Sequence, residues 1–330
     1  MPAAADAREN RPWPVVVLAA AWAAAVGSAA VVGSSLLGFT WGSVHAGLQM
    51  LLPYYVLPSS GALLVAVWFA RRWLAMVAGL TSVLVCAMLL PFARPVTSVV
   101  GDGPQLDLYV ANVRFNNTTP ERAVSQALAS GADVLVLIEL TPAYLELFRQ
   151  QGADQRYPFQ LLDAARDAYG AAIYSRLPLR DPRVDQLAGL AVPTATVQVG
   201  DRAVELRAVH VGAPVGGQVS RWEWQLGRIR DLATHLEGPA VLAGDFNATR
   251  WHPAFRELID GSELTDAHES VGRGLSASWP MEGQGLRVLG PFARLDHALV
   301  HDLQITEVRD LPASGSDHRP FTVTVALHRR

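Results

Sequence analysis

The sequence predicts an α/β protein: a layered α/β sandwich over residues 105–330, preceded by three membrane-spanning helices within residues 1–92 and a linker at 93–104. Two observations carry this reading. The first hundred residues hold three long apolar runs, while the excess of hydrophobic residues (50% of the 330-residue chain) fades beyond them. Past residue 105, short apolar runs alternate with polar turns and few long helical patterns, which favours stacked sheets over a doubly wound sheet.

The three apolar runs lie at about 14–38, 47–70 and 73–92. A helix needs roughly 20 apolar residues to cross a bilayer, so each is long enough. Pro53 and Pro58 interrupt the second and predict a kinked or partly re-entrant path. A cleaved signal peptide is the competing reading of the first run, but two more spans follow it. Arg8 and Arg11 precede span one and Arg71-Arg72 join spans two and three, whereas the loop at 39–46 carries no basic residue. The positive-inside rule then places the N-terminus in the cytoplasm and everything after the third span outside, against the single charge of Arg94.

Beyond the linker, residues 106–113 and 134–140 read as strands around a helix at 120–130. Strands are predicted at 171–175, 195–199 and 204–211, and a helix at 221–236 from the spacing of Trp222, Leu226, Ile229, Leu232 and Leu236. Further strands are predicted at 241–243, 295–300, 304–308 and 321–327.

Composition narrows the function. The net charge is −3, and the first hundred residues hold five arginines against Asp6 and Glu9, so residues 101–330 carry −6. That balance provides no extended nucleic-acid surface. The chain contains no lysine: all 27 basic residues are arginine, so any phosphate clamp must use guanidinium, which binds bidentately. Cys86 is the sole cysteine, which excludes an intrachain disulfide and a cysteine-based zinc site.

The chemistry-bearing residues stand at the ends of the apolar runs: Asn112, Glu139, His210, Asp245-Phe246-Asn247, Arg294-Leu295-Asp296-His297 and Ser316-Asp317-His318. Each has a structural reading of its own. Asp and Asn populate turns, a strand histidine is often satisfied in a core, and Asp296 could belong to a surface salt bridge. Glu139 is harder to dismiss, because a carboxylate inside an apolar strand needs a partner or a metal. Together, carboxylates, amides and imidazoles at strand ends can hold a hard divalent cation and move protons around a phosphate.

This ordered set, with flanks such as Tyr169-Gly170-Ala171-Ala172-Ile173-Tyr174-Ser175-Arg176-Leu177-Pro178, resembles the endonuclease/exonuclease/phosphatase superfamily from about residue 105 to the C-terminus. The resemblance implies a DNase I-like four-layer α/β sandwich and a hydrolase acting on phosphoester or phosphoanhydride bonds. It implies Glu139, Asn112 and Asp317 as metal-binding residues for Mg²⁺, with Mn²⁺ or Ca²⁺ as alternatives. His318 would face the scissile phosphate, with Asp296 holding its ring. Asp245 would orient or deprotonate the attacking water, Asn247 would bind a phosphoryl oxygen, and His210 would supply a second imidazole. Many nucleases of the family place a further acid two residues after the asparagine; here stands Arg114, which disfavours a two-metal site. Arg114 and Arg176 are candidates for binding an anionic substrate.

Three spans before such a domain, in a lysine-free, alanine-rich chain, also resemble the membrane-anchored VanJ-type teicoplanin-resistance proteins of actinobacteria. That likeness implies a phosphatase acting at the outer leaflet on a polyprenyl (undecaprenyl) pyrophosphate or related cell-wall lipid. A surface nuclease or lipid phosphodiesterase of the same fold, and a non-catalytic interaction module, are the alternatives.

Overall fold

The structure, a computed structural model, describes residues 13–93, 103–281 and 290–328. The predicted linker therefore falls largely outside the described residues, as do Arg8, Arg11 and Arg94.

Helix α1 (Trp13–Leu37) is 25 residues long, and a helical stretch of 21 residues runs from Arg72 to Phe92, containing α4 (Arg72–Leu89) and a closing 3₁₀ turn. At a rise of 1.5 Å per residue these measure about 37 and 31 Å, enough to cross a hydrocarbon core of about 30 Å. Both are long and apolar enough to span a membrane. Their outward faces carry apolar side chains such as Val15, Val16, Met76, Leu80 and Val83. A continuous apolar exterior of this kind is costly in water and neutral in lipid.

The second apolar run is bent, as its prolines predict. Residues 47–70 do not form one helix: α2 (Ser43–Met50) meets the helical stretch Leu52–Trp68 at 67°. That stretch comprises a 3₁₀ turn (Leu52–Tyr55) and α3 (Val56–Trp68). Pro53 lacks an N–H and clashes with the preceding turn, so the break falls there. Pro58 lies in the first turn of α3, where a missing N–H costs nothing. A second reason lies in α2 itself. Its His45 and Gln49 are buried against the end of α1, where His45 Nε2 lies 2.8 Å from Ser34 Oγ and Gln49 Nε2 donates to Phe39 O at 2.9 Å. These polar contacts hold α2 against the end of α1 and fix the bend.

The rest of the chain forms two six-stranded mixed sheets. The first contains β1 (Gln105–Asn112), β2 (Val134–Ile138), β3 (Phe159–Asp163), β4 (Ala171–Ser175), β11 (Gln304–Asp310) and β12 (Phe321–Ala326), in the order β11-β12-β1-β2-β4-β3. The second contains β5 (Leu179–Leu187), β6 (Leu190–Val199), β7 (Arg202–His210), β8 (Ala240–Asp245), β9 (Thr265–Asp266) and β10 (Asp296–His301), in the order β5-β6-β7-β8-β10-β9. Leu108, Val110, Val136 and Ile173 of the first sheet meet Leu206, Ala208, Val241 and Ala298 of the second in one core. Helices α5 (Pro120–Ala129), α6 (Pro142–Gln150) and the short α7 (Ala153–Arg156) cover the outer face of the first sheet through Val124, Ala127, Tyr144, Phe148 and Ala153. Helices α8 (Val219–Ala233) and α9 (Pro253–Asp260) cover the second through Trp222, Leu226, Phe255 and Leu258. The layers therefore run helix, sheet, sheet, helix, as a four-layer sandwich requires.

The edge strands β3 and β5 were not predicted. Strand β5 reads Leu-Arg-Asp-Pro-Arg-Val-Asp-Gln-Leu and is mostly exposed, pairing among the described residues only with β6. A strand paired on one side tolerates Pro182 and charge, which erases the apolar signal.

Candidate active site

Two parallel pairs build the site. β1 runs beside β2 with Asn112 opposite Ile138, and β7 runs beside β8 with His210 opposite Asp245. Parallel neighbours end at the same edge, so Asn112, Glu139, His210 and Asp245 emerge together where the two sheets face each other. Two antiparallel strands return to that edge: Asp296 begins β10 opposite Asp245, and His318 precedes β12, whose Phe321 pairs with Val110.

The backbone is bent to aim these groups. Glu139, Asn247 and Arg114 adopt left-handed φ values of 62°, 47° and 61°. Non-glycine residues held there usually mark a position fixed by surrounding structure for a purpose. Gly244, just before Asp245, has φ 141°, and a Cβ there would collide with the Val209 carbonyl. Only glycine lets β8 approach β7 closely enough to carry Asp245 to the edge.

The side chains interlock. Asn112 Nδ2 donates to Glu139 Oε1 at 2.9 Å and to Asp245 Oδ2 at 3.0 Å, so one amide bridges two carboxylates from opposite sheets. The Phe115 N–H donates to Glu139 Oε2 at 3.1 Å, and the Asn247 N–H to Asp245 Oδ1 at 2.8 Å. His210 Nδ1 lies 2.9 Å from the Ala168 carbonyl, which only accepts, so Nδ1 carries the proton. Its Nε2 then faces Glu139 and Asp245 at 4.0 and 3.9 Å.

His318 stands between two acids. Its Nδ1 is 2.8 Å from Asp296 Oδ2 and its Nε2 3.6 Å from Asp245 Oδ2. Burial disfavours a charged ring, yet Asp296 and Asp245 outweigh it and push the His318 pKa up to about 10. Burial also disfavours the Asp296 charge, but the His318 cation and the Ser278 hydroxyl hold its pKa below the usual carboxylate value. Burial and the nearby Asp296 charge push the Asp245 pKa up to about 6 despite His318. The site therefore offers an imidazolium to stabilise negative charge and a carboxylate poised near neutrality to take a proton.

The donor set fits a hard divalent cation. Ligand atoms of Glu139, His210 and Asp245 lie within 4.8 Å of one another. Two carboxylates converging in a low-dielectric edge repel unless positive charge stands between them. The second such group, Asp245, Asp296 and His318, is already an ion-paired chain around a protonated ring.

Asp317 lines the same cleft but is absent from both groups; its carboxylate lies 3.6 Å from Arg114 Nε. Arg114 thus approaches the site from its edge. Arg176 does not. The β2–β4 register pairs Val134 with Ser175, which puts Arg176 at the far end of the sheet from Glu139, stacked 5.3 Å over the Tyr157 ring. Its expectation as a substrate contact is corrected: antiparallel pairing reverses the direction in which β4 leaves the sheet. Arg294 and His297, flanking Asp296, are structural. Arg294 pairs with Asp310 at 2.8 Å and His297 with Asp266 at 2.6 Å.

The site opens into a cleft of about 710 Å³. Its other walls come from residues that sequence reasoning did not single out for the site: Arg221 and Trp222 of α8, Trp279, Tyr169, and Ala46, Gly47 and Met50 of α2. No local motif marks them, because their role arises only where loops and α2 meet over the strand ends.

Converging acids and imidazoles at the edge of a two-sheet sandwich define a hydrolase fold. The chain belongs to the Endonuclease/Exonuclease/phosphatase family, whose profile matches residues 110–318. Enzymes of this family are phosphoester hydrolases that use divalent metals. None of the curated proteins matches the chain. Among solved structures, a humanized D. rerio TDP2 is similar at 16% identity and a TM-score of 0.56, covering 67% of this chain and 98% of its own. The Beutenbergia cavernae endonuclease/exonuclease/phosphatase has 18% identity and a TM-score of 0.52, covering 68% and 72%. The catalytic domain of human Nocturnin, solved with a bound sulfate anion, has 16% identity and a TM-score of 0.52, covering 72% and 98%. These likenesses establish the fold of the two-sheet domain.

Proposed function

We propose that the protein is a membrane-anchored, Mg²⁺-dependent phosphohydrolase whose extracytoplasmic site acts on a polyprenyl (undecaprenyl) pyrophosphate or a related cell-wall lipid. Its resemblance to VanJ-type proteins extends the proposal to a contribution to teicoplanin resistance. One observation carries the reading: the hydrolytic cleft lies at the end of the domain that packs onto the helices of membrane-spanning length. Trp251 packs with Val32 of α1, Leu52 and Val85 of α4, and Phe92 meets the Trp251 ring edge-on at 5.3 Å. The turn at Arg71-Arg72 lies at the opposite end of the bundle, where Phe69 meets Trp13. With that basic turn in the cytoplasm, the site lies outside, beside lipid phosphates and remote from nucleic acid.

Each residue then has a task. A cation held at Glu139, whose carboxylate Asn112 ties to Asp245, would neutralise phosphoryl oxygens. Asp245 orients a water and takes its proton. The water oxygen bonds to phosphorus as the bond to the bridging oxygen breaks. His318, kept protonated by Asp296, donates a hydrogen bond to the developing negative charge. His210 Nε2, protonated on its far side at Nδ1, faces the same point.

A D. rerio TDP2 structure was solved with a single-strand DNA product, which makes a surface nuclease the competing reading. Full-length protein in detergent, given Mg²⁺ and polyprenyl pyrophosphate, should release phosphate, and a His318→Ala protein should not. Cleavage of plasmid DNA with no phosphate from the lipid would overturn the choice of substrate.

A further inference from the structure

We propose that α2 is a substrate-binding element, the wall along which the hydrocarbon tail of a single-chain lipid phosphate or pyrophosphate lies. This rests on the reading above for where the phosphate sits. The segment would then be part of the active site and not merely a link between two spans.

Ser43, Ala46, Gly47 and Met50 all line the cleft. Their spacing of three, four and seven residues puts them on one helical face. The cleft continues from that face to the acids: the same space is bounded by Glu139, Asp245 and His318. A phosphate at the strand ends would therefore have its substituent leave along α2. The lining combines Glu139, Asp245 and His318 with apolar surface from Ala46, Gly47, Met50 and Trp222, and with the polar side chains of Arg221 and Gln225. At the mouth stand Tyr169 and Val215, each 63% exposed. Exposed apolar residues at the rim of a cleft suit an apolar ligand entering from lipid.

The wall is rigid. His252 is fully buried; its Nδ1 accepts the Thr249 N–H at 2.8 Å, so its Nε2 donates to the Ala46 carbonyl at 2.9 Å. The Gly217 N–H donates to Ser43 Oγ at 3.3 Å, and Thr40 Oγ1 donates to Gln49 Oε1 at 2.9 Å. Ala46 is itself part of the core that covers the second sheet. The opposite face of α2 is free of the domain: Val44 is 81% exposed. The helix thus presents one face to the cleft and another outward.

Gly47 supplies the test. A Cβ built there meets nothing within 4 Å, and Gly47 lines the cleft, so a side chain added there starts into open space beside it. Each buried methylene is worth about 0.8 kcal/mol, roughly four-fold in affinity. Displacing two or more therefore costs tenfold or beyond.

The experiment compares kcat/KM of full-length protein for farnesyl and dimethylallyl pyrophosphates, which share a headgroup and differ in tail. Dissociation constants for farnesyl phosphate are measured on the same samples. Wild type should prefer the longer tail by at least tenfold, and Gly47→Trp should abolish that preference. Gly47→Leu, a smaller insertion, should reduce it, and Val44→Trp on the outward face should leave it intact. Hydrolysis of both substrates without preference, or a preference unchanged in both Gly47 variants, would overturn the tail wall and leave the hydrolase reading standing. Wild type that hydrolyses neither, yet binds farnesyl phosphate at least tenfold more tightly than Gly47→Trp, would sink the hydrolase reading and keep the wall.

Discussion

The Nδ1 of His318 lies 2.8 Å from Asp296 Oδ2, a contact that spans the two sheets and holds a proton on a buried ring. Asp296 begins β10 of the second sheet, whereas His318 leads into β12 of the first. The pair can form only once the sandwich is closed, so between about pH 6.5 and 10 folding draws a proton onto this ring.

The pH dependence follows from that pair and its neighbour. Asp245 must be ionised to accept a proton, so the rate should fall as pH drops through about 6. His318 must be protonated, so the rate should fall as pH rises through about 10. Its folded pKa is raised from 6.5, so its contribution to stability is complete below pH 6.5 and lost as pH rises through about 10. A kcat/KM profile should be bell-shaped between those limits. Asp296→Asn should shift the alkaline limb down by at least about one unit, a tenfold loss or more at high pH. An unmoved limb would mean that His318 is not the acidic group.

Removing either reacting group should separate chemistry from folding. Asp245→Ala and His318→Ala should each lose about two to four decades of rate, as for lost acid–base or electrostatic groups. Near-ultraviolet circular dichroism should match wild type. Loss of that signal in both variants would assign the residues a structural role.

Metal removal tests the role given to Glu139. Chelation should abolish activity, and added Mg²⁺ should restore it. Glu139→Gln keeps the shape and removes the charge, so it should demand at least about tenfold more Mg²⁺ for half-maximal rate. Full activity in chelator would exclude a required cation.

Gly244→Ala should be poorly tolerated. The new methyl meets the Val209 carbonyl at φ 141°, and neither strand can yield without breaking the β7–β8 pairing. A loss of about 3 kcal/mol or more is expected, read as a fall in the thermal midpoint.

Removing the helical segment should also be costly. A chain beginning at residue 103 loses the partners of Trp251 and His252, exposing an apolar face and leaving a buried imidazole unsatisfied. Such an unpaired group costs about 1–3 kcal/mol. The truncated protein should elute as aggregate in size-exclusion chromatography, where the full chain in detergent gives a single species. A monodisperse truncated domain with a wild-type melting point would contradict this.

Local chemistry decided much of this protein before any packing. The parallel-strand cores at 134–138 and 240–245 are apolar runs that could hardly be anything else, and the polar residue ending each run was visible as an interruption. Asn112, Glu139, His210 and Asp245 were legible for that reason: strand ends are where a polar side chain can escape a core. The two long apolar helices were legible because length and hydropathy are properties of the chain itself.

What the chain could not declare is anything that depends on two distant segments meeting. Edge strand β5 hid because exposure on one side removes the apolar signal. Arg176 sat in a matching stretch, yet antiparallel pairing carries it to the wrong end of the sheet. The middle apolar run was legible as a bent one from its prolines, but only the contacts of His45, Gln49 and Ala46 set α2 against α1 and the two-sheet domain, along the cleft. Composition and periodicity are local sums, whereas a cleft is a juxtaposition, and its shape exists only after both sheets and the helices close around it.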